Sequence, residues 1–260
     1  MKTIPVCSLK GGVGKSTVTL GLAQALRRQG FEVGILDLDY RSPVIPLLLG
    51  GDGARLGRTD DDALMPPKVG GISVMSMAFI WPDGKAVMVE DEMAVRDVEQ
   101  LVTPGIVAWP PELDYLVIDS PPSSSGIVLA ILSLPDAAGA IVVTHPSTSS
   151  RAALLRTLDL FSEKQVPVFG LVSNQGVDEH GQNRFDLQDQ DIMDLAARYD
   201  LPWCFCIPHT RTLAPHFDGL AQCILSTQPV LLAKPKEPKG ASWDKLINLA
   251  QQLTSSTPSS

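Results

Sequence analysis

Short apolar runs rich in Val, Ile and Leu alternate along this chain with stretches whose apolar residues recur at helical spacing. The runs that read as strands are Thr3–Ser8, Glu32–Asp37, Ile72–Met77, Tyr115–Asp119, Ala140–Thr144, Val168–Ser173 and Trp203–Ile207. Several are apolar almost throughout, the pattern of strands buried on both faces of a parallel sheet. Lys15–Gln29 puts Val18, Leu22 and Leu26 on one stripe and stops at Gly30, a suitable helix-terminating glycine. Glu92–Val102, Ser150–Lys164, Leu187–Tyr199, Thr212–Leu225 and Trp243–Leu253 are the other predicted helices. This alternation implies right-handed crossovers and an α/β fold: a doubly wound, mostly parallel sheet flanked by helices. Residues 1–253 read as one domain and 254–260 as a frayed tail. Pro5 is awkward in a central strand unless it falls where pairing begins. Gly50–Gly71 reads as a long surface excursion and Lys234–Gly240 as a Pro/Lys loop.

A chain of 260 residues is long enough to bury a sizeable core without disulfides. Its four cysteines, Cys7, Cys204, Cys206 and Cys223, do not make a secreted disulfide scaffold. No signal peptide and no apolar run of membrane-spanning length is read, so the expected location is cytoplasmic with no membrane partner. The net charge of −8 argues against broad nucleic-acid binding, which needs basic surface.

The strongest chemical signal is Lys10-Gly11-Gly12-Val13-Gly14-Lys15-Ser16-Thr17, between a strand and a helix. Glycines let the backbone curl so that consecutive N–H groups face phosphate oxygens, and the helix N-terminus adds its positive dipole end. Lys15 can reach the β- and γ-phosphates, and the Ser16 hydroxyl can ligate Mg²⁺. Asp37 and Asp39 close the second strand, and a period of two puts both carboxylates on one face at the end where ligands gather. Tyr115–Asp119 is an apolar strand ending in a carboxylate, the Walker B arrangement that carries an acid to the Mg²⁺ shell. Cys204 and Cys206 share a strand face and could chelate a soft metal; buried cysteines acting as small hydrophobes is the plainer alternative. Cys7 and Cys223 read as core.

Leu9 stands where the general phosphate-loop pattern wants glycine, and a lysine follows at position 10. With these residues the chain resembles the deviant Walker A P-loop ATPases, the family of MinD, ParA, the nitrogenase iron protein and the Mrp/ApbC proteins. The resemblance implies ATP and Mg²⁺ as cofactors and a homodimer with ATP at its interface. In it Lys10 reaches across to the partner's phosphates and Asp39 orients or activates the attacking water. Ser16, Asp39 and Asp119 form the implied magnesium set, partly through water. Asp37 either supports a magnesium water or the loop, or caps the next helix. Asn174 is implied at the adenine edge with Pro208 as a wall, although Asn at a strand end is also a common turn residue. His145 replaces a threonine of the family's Thr-Thr-Pro strand end and reads as structural.

Asp37–Gly50, Gly71–Phe79 and Leu113–Pro122 resemble the Mrp/ApbC branch, which carries or assembles iron–sulfur clusters. The expected function is therefore a Mg-dependent, dimeric ATPase acting as a maturation or assembly factor with an unknown client protein. The branch's Cys-Pro-x-Cys pair is absent: Asn174 to Trp203 contains no cysteine before Cys204, and Val177–Gly181 stands in its place. Cluster carriage thus does not transfer residue by residue. Ser123 also stands where the branch has a glycine after Pro-Pro. A MinD- or ParA-like spatial organiser and a nucleotide-binding regulatory subunit with little turnover are the alternatives.

Overall fold

The computed structural model describes residues 1–39, 42–51, 53–80, 91–101, 103, 105–121, 125–132, 134 and 137–233. The expected helix Trp243–Leu253, the loop Lys234–Gly240, the tail and Ser123 lie outside the described residues. In chain order the elements are β1 (Lys2–Cys7), α1 (Lys15–Arg28), β2 (Val33–Asp37), α2 (Ile45–Leu48), β3 (Gly57–Arg58), β4 (Leu64–Met65) and β5 (Lys68–Val69). Then come β6 (Ile72–Ser76), α3 (Met77–Ile80), α4 (Asp91–Leu101), β7 (Tyr115–Asp119), α5 (Ser125–Leu132), β8 (Ala140–Thr144) and α6 (Thr148–Glu163). The rest are β9 (Pro167–Asp178), α7 (Asp189–Arg198), β10 (Cys204–His209), α8 (Ala214–Ser226) and β11 (Val230–Leu231).

One sheet runs in the order β10-β9-β8-β1-β7-β2-β6-β5, with β11 pairing β9. All pairs from β10 to β6 are parallel; β5 and β11 add short antiparallel ends. The inner strands are buried at every position but Lys2, and mostly apolar, because helices cover both faces. One core joins α1 and α8 to the sheet through Val18, Leu22, Leu26, Phe217 and Leu220. On the other face Phe161, Leu158, Ile192 and Leu195 of α6 and α7 pack on β8 and β9, while Met75, Ile118 and Ile131 build a third cluster.

Pro5 does not fall where pairing begins. It pairs with Ile118 inside the β1–β7 ladder, which starts at Lys2, and on the β8 side it falls between an isolated Thr3–Ala137 bridge and the Val6–Cys7 ladder. The predicted Gly50–Gly71 excursion is partly structured: β3 and β4 form a small ribbon and β5 joins the main sheet. Among the cysteines, Cys7 is buried, but Cys223 is only half-buried, as are Cys204 and Cys206. The reading of Cys223 as core is therefore corrected. It follows Gln222, on the exposed side of α8, while Phe217, Leu220, Ala221 and Ile224 make the buried stripe.

Candidate nucleotide site

The glycine loop leaves β1 at its carboxyl end and closes into α1. Gly12 and Gly14 adopt φ of 74° and 89°, a left-handed backbone that only glycine takes without strain. A Cβ on Gly14 would also lie 2.2 Å from Asn174 Nδ2. That amide donates to the Val13 carbonyl at 2.9 Å, so Asn174, buried within β9 and not at its end as the sequence suggested, braces the loop. Pro208, given to the base wall by resemblance, lies half-buried in β10 beside an irregularity in the β10–β9 register. No side chain caps the start of α1 and no acidic residue occupies its first turn. Its leading N–H groups are thus left for an anion.

Lys15, the first residue of α1, is 6% exposed. Burial pushes its ammonium pKa down, opposed by the carboxylates of Asp119 and Asp39. Its Nζ leans on the Lys10 carbonyl at 3.4 Å. Asp119 ends β7, next to β1, with Val6 as its register partner. Burial raises its pKa to about 6, held back by hydrogen bonds from Ser16 and Thr19 and by Lys15. Thr19 Oγ1 donates to Asp119 Oδ1 at 3.2 Å. Ser16 and Asp119, the expected magnesium donors, are therefore already in contact, and their hard oxygens suit Mg²⁺. Thr19 was not singled out from the sequence; it lies one helical turn after Lys15, which is the signal that could have found it.

The two carboxylates after β2 do not share a strand face as predicted. β2 ends at Asp37, and Asp39 belongs to the loop beyond it. Asp37 is fully buried and accepts from Ser76 Oγ at 2.9 Å, the Asp39 N–H at 3.2 Å and the Ile45 N–H at 3.4 Å. Ile45 is the first residue of α2, so this carboxylate reaches the leading N–H of that helix. Asp39 is half-buried, accepts from the Ser42 N–H at 3.0 Å and acts electrostatically on Lys15.

Burial, with the nearby charge of Asp119, raises the Asp37 pKa from 3.8 to about 7. The native chain therefore holds a proton that the unfolded chain releases. The stability this confers is full on the acid side and drains as pH rises from about 4 to about 7. Apo protein is expected to melt lower at about pH 8 than at about pH 5. Asp37→Asn removes the charge at constant shape and should raise the pH 8 midpoint by roughly 4–8 °C, from about 2 kcal/mol. Calorimetry at both pH values checks this; an Asn variant with the wild-type pH slope would refute it.

Lys10 turns onto its own chain. Its Nζ donates to Ser149 Oγ at 2.7 Å and to Ser150 Oγ at 2.9 Å, at the start of α6. Ser147 caps that helix by accepting from the Ser150 N–H. These serines escaped the sequence reading, although Ser147-Thr148-Ser149-Ser150 is a recognisable helix start. His145, just before them, stacks on Phe185 with ring centroids 4.7 Å apart. Burial, then Lys10 and Arg184, hold it below the ordinary histidine pKa, in keeping with a structural role.

A family model described as ParA, NUBPL iron-transfer P-loop NTPase, matches residues 1–248. The chain belongs to this family. The iron-sulfur cluster carrier protein of Rickettsia conorii is 32% identical over 217 residues, 84% of this chain and 64% of that protein. A nucleotide-binding protein from Archaeoglobus fulgidus, solved in complex with ADP and with cobalt, is 30% identical with a TM-score of 0.68, covering 87% of this chain and 89% of that one. The septum site-determining protein MinD from Pyrococcus horikoshii, complexed with Mg-ADP, shares the fold at 20% identity and a TM-score of 0.58, over 84% and 85% of the two chains. The chain spans about half to two thirds of the length of the curated relatives it matches, 46% to 64%. Among the described residues no group of three or more His, Cys, Asp or Glu is placed to hold a metal ion. Nor is any described helix long and apolar enough to cross a membrane.

Proposed function

We propose that this chain binds ATP with Mg²⁺ and hydrolyses it, working as a maturation factor beside iron–sulfur cluster assembly. The carrying observation is the convergence of an uncapped helix start, buried Lys15 and the Ser16–Asp119–Thr19 contact at the carboxyl ends of β1 and β7. Gly11 to Thr17 would cradle the phosphates, with Lys15 neutralising charge on the β- and γ-oxygens. Ser16 and Asp119, with Asp39 through water, would hold Mg²⁺, whose bound form supplies Lewis-acid stabilisation of the phosphates. Asp39 would orient the attacking water, and Asn174 and Pro208 would face the base. The reading includes a homodimer in which Lys10 of each copy meets the other's nucleotide. A cluster would be cargo, handed on with a client, and not held by a cysteine set of this chain.

The test is phosphate release by the purified protein with Mg-ATP. Asp39→Asn should lower the rate by about 100-fold, within the range for a residue that positions a nucleophile, while ATP affinity stays within about threefold. Equal, background-level rates for both proteins would overturn the ATPase reading and leave a regulatory subunit.

A further inference from the structure

Among the described residues outside the nucleotide site, a pair of thiols remains without a role. Cys204 and Cys206 lie on β10, an outer strand of the sheet, with Leu171 and Ser173 of β9 as their register neighbours. Cys204 packs toward the α7 side of the sheet and Phe205, between them, toward the α8 side. By strand alternation Cys206 therefore joins Cys204 on the α7 face. Both are half-buried and unbridged, so a small ion can reach them. The Cys204 thiol interacts directly with Cys206, and the charge of Asp189, the first residue of α7, acts on both. Asp189 is itself fixed by the Ser173 hydroxyl.

We propose that Cys204 and Cys206 form a two-sulfur site for a soft monovalent cation of the Cu(I) class. The donor count selects the metal. No third His, Cys, Asp or Glu is placed to complete a site among the described residues, whereas Zn²⁺ demands about four ligands. Thiolates select soft ions such as Cu(I). The spacing selects against the other use of a cysteine pair. Same-face neighbours on a strand are roughly 6.6 Å apart at Cα, near the upper limit for a disulfide, so a direct S–S bond would be strained. Two metal–sulfur bonds of roughly 2.3 Å each bridge that gap with less distortion. Charge acts in the same direction. Asp189 disfavours a bare thiolate pair, and a cation between the sulfurs relieves that repulsion. Loading converts two thiols and one Cu(I) into a bis-thiolate complex with release of two protons. No oxidant is needed, and the site does not depend on the ATPase reading.

The experiment titrates full-length protein anaerobically against the Cu(I)–bicinchoninate complex, following loss of chelator colour and growth of thiolate-to-metal absorption in the ultraviolet. Wild type should remove one Cu(I) per chain. Cys204→Ser and Cys206→Ser should each weaken binding by at least the roughly 100-fold seen when a supporting partner of a metal ligand is lost. Cys7→Ser and Cys223→Ser should bind like wild type. Thermal melts verify that each variant is folded; the single serine variants at half-exposed positions keep the comparison usable if the double variant is not. Wild type that fails to compete, tight Cu(I) binding by folded Cys204→Ser/Cys206→Ser, or Zn²⁺ held as tightly as Cu(I) would each overturn the assignment.

Discussion

Lys15→Ala is expected to lower ATP affinity by about 100- to 1000-fold, from two charge-assisted phosphate contacts worth together about 3–4 kcal/mol. The same substitution should weaken the apo fold, which an ordinary loop lysine would not do. Lys15 is 6% exposed, and burial already pushes its pKa down, so it carries a desolvation cost in the native state. What offsets that cost is Asp119, itself buried and raised to about 6. Removing the cation leaves the carboxylate without its compensating charge, a change that costs about 3–5 kcal/mol in fully buried pairs. The sign with pH follows. Loss of Lys15 drives the Asp119 pKa higher still, so the variant is most compromised above about pH 7 and recovers as Asp119 takes a proton at about pH 5. Titration with a fluorescent ATP analogue reads the first effect. Urea unfolding at the two pH values reads the second. Lys15→Arg should not rescue, because a planar fork cannot replace a compact ammonium in a slot shaped by the Lys10 carbonyl. ATP affinity of the alanine variant within about threefold of wild type would show that the loop does not grip phosphate through this residue.

The inner strands and the loop were legible because their physics is local. An apolar run buried on two faces looks the same wherever it sits in a parallel sheet, and Tyr115–Asp119 and Ala140–Thr144 match their predicted bounds. What escaped was either too short or too uniform to show a period. α2 and α3 are single turns, and β5 and β11 are two residues each, fixed by the strand they lie against. α5 reads Ser-Gly-Ile-Val-Leu-Ala-Ile-Leu, apolar all round, so periodicity could not separate it from a strand or loop. β9 runs past the predicted Ser173 to Asp178 because pairing with β10 extends to His209, a tertiary effect overriding a polar sequence. In the site the same division holds. Lys15, Ser16 and Asp119 follow from motif and strand end. The partners of Lys10 are 139 and 140 residues away in sequence. The contact of Asp37 with the Ile45 N–H depends on where the chain returns, which no spacing rule fixes.

Those distant partners bear on the second large effect, because Lys10 here is engaged within its own chain by Ser149 and Ser150. To meet the nucleotide of a second copy, its ammonium must exchange two hydroxyl acceptors for phosphate oxygens. Charged acceptors make the stronger bonds, so the exchange is downhill when a triphosphate is present and has little to drive it otherwise. Lys10→Ala should therefore abolish ATP-dependent dimerisation and lower turnover by about 1000-fold, the lower range for a cation supplied in trans to a transferring phosphoryl group. ADP affinity should change by less than about threefold, because that contact is absent from the single copy. Ser149→Ala/Ser150→Ala should do the opposite. It removes the acceptors that hold Lys10 at home, so the dimer should form at lower ATP concentration, by about tenfold if one net charge-assisted bond is relieved. Ser147 is left intact in this pair, so the α6 cap survives and the helix start is preserved. Sedimentation velocity across an ATP titration with Mg²⁺ reads both variants against wild type. A Lys10→Ala protein that dimerises and turns over normally would confine this lysine to its bond with α6. A serine pair variant that needs more ATP than wild type would mean that the two hydroxyls guide Lys10 outward, not that they restrain it.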